Sequence, residues 1–480
     1  ELPKQYKRAL LPLLDLNAIC EEVINEVSEL SEADRHAVKP KGLDKSGPKV
    51  PHKYILLHEK LWALEKVSLF IPTKHLPSPQ GLTRDSPTCE VFQKAWEYFG
   101  GVPHLVRVMA LHPEFIVCWL RTMQSTMTGD GPLSDPVRHY IALLASSAHD
   151  CDYLMVKEEQ LFKENDGESS WLRSLECAPE KMKKIGQLNV LLAHQPWLVS
   201  KEDIQQLIEV GWSRGQIAHA LLIMASYHSL CGMVYSCGIL PDQQETSVIL
   251  YDSLSETSAD ELLAQSCDLT PDLFSSAPSG SRTDIDVDAL GSFWPGENGN
   301  GHVHRHGKYF LPNDHGVTHH EDFDDRRHRR HVMSEFNWTD HAFGVLSDCD
   351  LWDQADHLQA EFDHVVGMTD HSFGGKDVDT SAFRRMVWLY VHRVYGIVHD
   401  DFNYQLVNTL FTDPNIVKIV KSFVKRTAGH PETFLSSHFY EWGYPVDIKE
   451  RVHVALLSCE SRKQAELIHG LRALSQAFIT

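Results

Sequence analysis

Four sets of side chains in this 480-residue sequence could do chemistry. The first is the thiol of Cys151, in the stretch PVRHYIALLASSAHDCDYLM, residues 136–155. A cysteine is a nucleophile only as thiolate, so it needs a base, a cation or a helix N-terminus beside it. On a helix running through this stretch, His149 lies on a different side from Cys151 and His139 a little off the same face. The alternative is a buried cysteine that packs as a small hydrophobe. The second set is Arg384 with Thr380, in VDTSAFRRMVWLYVHRVYGIVHDDFNY, residues 378–404. Arg384 shares a row with Val387 and Val391, and a guanidinium beside an apolar stripe needs a carboxylate or carbonyl partner. That partner is either an internal acid or the carboxylate of a ligand. Thr380 offers a hydroxyl that can accept from the free amides of the first helical turn. The third set is the acid pair Asp400 and Asp401 in front of Phe402 and Tyr404, an anionic corner facing water. The fourth is a tract of histidines: His302, His304, His306, His315, His319, His320, His328 and His331. Imidazoles at this density can bind Zn²⁺ or Ni²⁺. The tract lacks the fixed spacings of structural zinc sites, and DDRRHRRH sets cations among the histidines. It reads as a solvated, biased segment with incidental metal affinity, and no metal site is assigned to it.

Helices must position the first three sets. Spacing of 3.6 type runs over 105–110, 113–128, 134–163, 179–194, 201–210 and 213–239, so Cys151 is expected near the end of one long helix. Apolar residues at Phe383, Val387, Tyr390 and Val394 mark a helix that Thr380 caps. Further helices are expected at 353–366, 403–411, 414–428 and 447–478, with a loop at 367–379. Strand-like runs are few, so the fold class is all-α. Residues 1–89 read as an N-terminal arm with a short amphipathic stretch. Residues 90–239 read as one helical domain, 240–335 as a partly disordered, His-rich linker rich in Ser, Asp, Gly and Pro, and 336–480 as a second helical domain.

Composition narrows the function classes. A hydrophobic content of 42% supports sizeable cores, and no apolar run reaches the ~18–20 residues of a membrane span. The formal net charge is −21, from 45 basic and 66 acidic residues, which argues against nucleic acid and anionic membrane as main partners. Ten scattered cysteines without a CxxC pair read as reduced thiols of a cytoplasmic or nuclear protein. The chain begins at Glu1 rather than Met, which leaves a targeting signal open.

The words VDTSxxRR, YGIxxDDxxY and ERVHVALL, with LHPEF, GDGPL, RHYIA, CxYL, LLAHxPWL and FNWTDHAF, closely resemble the sestrins. These are stress-induced regulators of the TOR kinase pathway. The resemblance spans roughly 90–240 and 336–480, is patchy in the first 90 residues and is absent from the linker. It implies two helical halves related by pseudo-symmetry, the first similar to the AhpD-like alkyl hydroperoxide reductases. By position, Cys151 would be the peroxidatic thiol and Tyr153 a relay residue. The relay histidine of that family would fall at Glu158, a carboxylate that opposes thiolate formation by repulsion. No second cysteine follows at CxxC spacing to resolve a sulfenic acid.

For the second half the resemblance implies an L-leucine site with no other cofactor. Glu450 would hold the ammonium, Arg384 the carboxylate, and Trp442 the apolar floor, although the spacing around 440–447 departs from the pattern. Thr369, Ser372 and Thr380 would be lid hydroxyls, Ser372 standing in for a threonine. Asp400 and Asp401 match the surface that contacts the GATOR complex, an upstream activator of the TOR kinase. The implied function is a leucine sensor that restrains TOR signalling, with a thiol-dependent hydroperoxide reductase as the alternative.

Overall fold

The computed structural model describes residues 66–77, 87–99, 101–242, 307–312, 317, 319–368, 379–404, 414–442 and 446–478. The amphipathic stretch of the N-terminal arm and the expected helix at 403–411 therefore lie outside the described residues, wholly or nearly so. The chain divides into two units: 1–65 with 78–106 and 241–294, and 66–77 with 107–240 and 295–480. In the first, the described part is α1 (Pro87–Phe99) and the start of α2 (His104–Met109). There the His104 amide donates to the Asp242 carboxylate at 2.6 Å, as a cap on the first turn of α2.

The larger unit carries α3 (Pro113–Met127), α4 (Asp135–Ser147), α5 (Asp152–Glu164), α6 (Glu180–His194), α7 (Lys201–Glu209) and α8 (Arg214–Ser236). Local chemistry starts these helices where the sequence indicates. Proline stands in the first turn of α3 and α4, where a missing N–H costs nothing. Ser200 with Asp203 and Ser213 with Gln216 form reciprocal capping boxes on α7 and α8. The expected single helix over 134–163 is instead two. The amides of Ala148, His149 and Asp150 each bond three residues back, which tightens the turn, and Asp150 takes a left-handed φ of 51°. Asp tolerates that conformation better than most residues, so the chain turns and restarts. Cys151 is then the N-cap of α5 rather than a residue near a helix end.

After the first half come a two-residue strand β1 (His331–Val332), a π-helical turn (Trp338–Ala342), α9 (Phe343–Ser347), α10 (Trp352–Gly367), α11 (Ser381–Val394), β2 (Ile397–Val398), α12 (Pro414–Gly429), α13 (Ser436–Tyr440) and α14 (Ile448–Phe478). The strands pair in parallel, His331 with Ile397 and Val332 with Val398. The all-α expectation holds among the described residues, since these two short strands are the only ones there. Residues 319–335, which the sequence reads as linker, are described in part as core. His320 and His331 are buried, and Phe323 lies over Gly396, whose φ of 74° admits no ordinary side chain.

The centre of the unit is the contact between α8 and α14, the most extensive helix pairing among the described residues. Both helices are buried on all sides over most of their length. The largely apolar circumference of α8 marks a helix at the middle of a core, while α14 buries charged side chains as well. Helix α8 is long and apolar enough to cross a bilayer, contrary to the sequence expectation, but its apolar window is wholly buried in protein. Small residues set the spacing: a methyl at Gly470 would lie 2.7 Å from Leu221, and one at Gly232 would lie 2.7 Å from the Thr427 carbonyl oxygen.

Candidate functional site

Arg384 and the helix that carries Glu450 are both tied to the last turn of α10, at a corner where three helices end. Arg384, on the first turn of α11, donates through Nε to the Val366 carbonyl at 2.7 Å and through its guanidinium to the Thr380 hydroxyl. His453, one turn after Glu450 on α14, bonds the neighbouring Val365 carbonyl at 3.0 Å. Both partners belong to the last turn of α10, whose carbonyls have no helical acceptor role left to fill. Arg384, Thr380 and Glu450 are all buried. Thr380 is the N-cap residue expected, but its hydroxyl bonds Arg384 instead of a first-turn amide. Asp379 takes the capping role, accepting from the Ser381 amide at 2.8 Å. Glu450 also closes a capping box on α14. Its carboxylate accepts from the Asp447 amide at 3.2 Å, while its own amide donates to Asp447 Oδ1 at 2.8 Å. The corner thus holds a buried cation, a buried anion and a hydroxyl, the complement of a zwitterion.

Thr369 and Ser372 lie outside the described residues. Trp442 is buried in an aromatic cluster, edge-on to Phe423 at 5.0 Å, and Phe423 is in turn edge-on to Phe434 at 5.2 Å. Asp400 and Asp401 are exposed, as expected. The corner is not purely anionic, because Arg385 pairs with Asp401 at 2.7 Å and lies over the Phe402 ring at 5.6 Å.

The thiol site is built by a stripe of α8. Tyr227, Cys231 and Tyr235 are four residues apart and share one face. Tyr235 donates to the carbonyls of His149 and Asp150 at 3.0 and 2.7 Å, which pins the turn in front of Cys151. Cys231 and Cys151 are hydrogen-bond partners through their side chains. Tyr227 donates to Glu158 Oε1 at 2.7 Å, and His139 bonds Glu158 Oε2 at 2.7 Å. Glu158 therefore brings its own histidine, His139 of α4, which sequence spacing places off the Cys151 face. Burial pushes the Cys231 thiol well up, with Cys151 adding to the effect. Burial and then Asp150 raise the Asp152 carboxyl to about 6. Tyr153 is nearly buried on the first turn of α5. Sequence reasoning missed Cys231 because the signal is not local: it stands eighty residues from Cys151, far from CxxC spacing.

Below this site runs a buried polar network. Arg462 of α14 donates to His149 Nε2 at 2.7 Å, to the Ala193 carbonyl at 3.0 Å and to Glu466 at 2.6 Å. His149 therefore accepts at Nε2, and its Nδ1 faces Glu432 at 3.5 Å. Burial and then Arg462 hold the His149 imidazole far below its ordinary range, so it is neutral.

Residues 66–291 and 303–478 match the family model described as PA26 p53-induced protein (sestrin). Among curated relatives, Sestrin-1 of Xenopus laevis is 29% identical over 453 residues, covering 84% of this chain and 91% of its own. Sestrin-2 of Homo sapiens is 30% identical over 425 residues, covering 78% and 84%. The sestrin homolog of Dictyostelium discoideum is 29% identical over 466 residues, covering 85% and 76%.

Proposed function

The chain belongs to the sestrin family, and on that premise we propose that it is a leucine sensor that restrains TOR signalling by holding the GATOR complex while leucine-free. The observation that carries this reading is the corner of Arg384, Thr380 and Glu450 at the end of α10. Leucine carries one cation and one anion. Glu450 would take the ammonium and Arg384 the carboxylate, with the segment 367–380 closing over both and Trp442 flooring the side chain. Release of the partner is then a population shift: leucine must bind the closed form better than the form that Asp400 and Asp401 present to GATOR. The acid pair supplies steering and specificity more than affinity.

Isothermal titration with leucine tests this. Glu450→Gln keeps the α14 capping box but removes the charge. A charge-assisted contact contributes about 1.5–3 kcal/mol, so the variant should bind roughly 10–100-fold more weakly. Absence of saturable heat from the folded wild type would remove the reading. Isoleucine, methionine and valine should compete, because one methylene discriminates only ~10–200-fold. Capture of GATOR subunits should fall as leucine is added.

A second reading, a thiol-dependent hydroperoxide reductase, is favoured by the contact of Cys151 with Cys231. The Cys151 thiolate, at the N-terminus of α5 where the helix dipole favours an anion, would attack a peroxide oxygen and expel the alcohol. The Cys231 thiol would displace water from the resulting sulfenic acid, and an external dithiol would reduce the disulfide. Peroxide consumption should vanish in Cys151→Ser. In Cys231→Ser it should leave a dimedone-reactive sulfenic acid. Unchanged turnover in Cys151→Ser contradicts the reading.

A further inference from the structure

The His-rich tract ends inside the core. His320 is 2% exposed, and neither of its ring nitrogens has a hydrogen-bond partner among the described residues. A buried imidazole with both nitrogens unsatisfied is costly and calls for a cause. Its ring lies edge-on to His430 at 5.0 Å, between the rings of Trp197 and Tyr395 at 6.1 and 5.4 Å. Gly429 lies directly against the ring. A methyl there would lie 2.7 Å from Cδ2 and 2.8 Å from Nε2, so only glycine lets the imidazole in.

Ligand atoms of His320, His430 and Asp322 all lie within 4.8 Å of one another. We propose that His320, His430 and Asp322 form a binding site for a divalent transition-metal ion, Zn²⁺ by preference, with water in the remaining position. Two imidazoles and one carboxylate suit zinc and similar first-row ions, and three protein ligands leave an open position. Burial keeps both histidines neutral and so able to donate a lone pair. Zinc bonds of about 2.1 Å draw ligand atoms to roughly 3.4 Å apart, so a separation of up to 4.8 Å must close by at most about 1.4 Å, and Asp322, on the surface, is the ligand placed to move. It is exposed and held by Lys425, which the ion would displace. The exposed side is also the entry path.

The test uses the full chain stripped of metal with a chelator and titrated with Zn²⁺ against a chromophoric competitor. One tight equivalent is expected. His320→Ala and His430→Ala should each weaken it by at least about 100-fold, more than the loss of an outer-shell partner costs, and Asp322→Asn by roughly tenfold. Lys425→Met should tighten it by freeing Asp322. Replacing His302, His304 and His306 together should leave it unchanged. Equal affinity in His430→Ala, or loss in the triple variant alone, overturns the proposal. Where His320→Ala fails to fold, His430→Ala and Lys425→Met decide. Co²⁺ should give the visible band of a four-coordinate site in the wild type and lose it in His430→Ala.

Discussion

At the scale of single residues, the chain buries charges and then answers them. Lys463 lies wholly inside, donating to Glu361 at 2.6 Å and to Glu460 at 2.7 Å. Removing the cation leaves two acids facing each other, and burial already raises the Glu460 carboxyl well above its ordinary range. Lys463→Met should cost about 3–5 kcal/mol, the usual penalty for breaking a buried pair from one side. Urea unfolding measures it, and adding Glu361→Gln and Glu460→Gln should recover much of the loss. A cost below about 1 kcal/mol would mean that water reaches the triad. Residue types are legible here as candidates but not as partners. Arg384 is recognisable as a cation in need of an acceptor, yet the acceptor is a backbone carbonyl, Val366, with Thr380 beside it. Glu450 has a structural role visible in the Asp-x-x-Glu of residues 447–450, while the tie of its helix to the end of α10 through His453 is one that no spacing reveals.

At the scale of elements, periodicity locates most helices to within a few residues, because their buried faces and caps are written locally. It fails where a turn without glycine or proline interrupts an apolar pattern. The break at 148–151 depends on Asp150 accepting a left-handed φ, and no hydrophobic spacing records that. The consequence for the thiol site is large, since Cys151 moves from near a helix end to a helix N-terminus. Cys231 is invisible for a related reason. The stripe of Tyr227, Cys231 and Tyr235 can be read on α8, but what it faces is set by how α4, α5 and α8 pack. The histidine tract shows the opposite error: a biased composition argues for solvation, and two of its members, His320 and His331, are core residues all the same.

At the scale of the whole molecule, the core is unusually rich in neutral histidines. Burial lowers His194 to about 3 and His219 and His331 to about 4, from an ordinary 6.5. His149, His320, His392 and His469 are lowered in the same way. As the medium is acidified, such a histidine takes up its proton in the unfolded chain first. Stability is therefore complete above about pH 6.5 and drains as pH falls toward 4. Each tenfold difference in proton affinity between the folded and unfolded chain is worth about 1.4 kcal/mol for each group. Asp152, Glu432 and Glu460, raised by burial, act in the opposite direction and offset part of this. The histidines outnumber them, so the metal-free chain should melt several degrees lower at pH 5.5 than at pH 7.5. A flat profile in a calorimetric scan would contradict this balance.

The embrace of α8 and α14 has one more consequence. Arg462 reaches back to His149 and the Ala193 carbonyl, and His228 of the first half bonds Glu466 of the second at 2.7 Å. Each stretch of chain supplies partners for buried polar groups of the other, beyond the pairs it makes within itself. A cut between residues 242 and 307 would therefore yield not two proteins but one protein in two pieces, each serving as the missing interior of its counterpart.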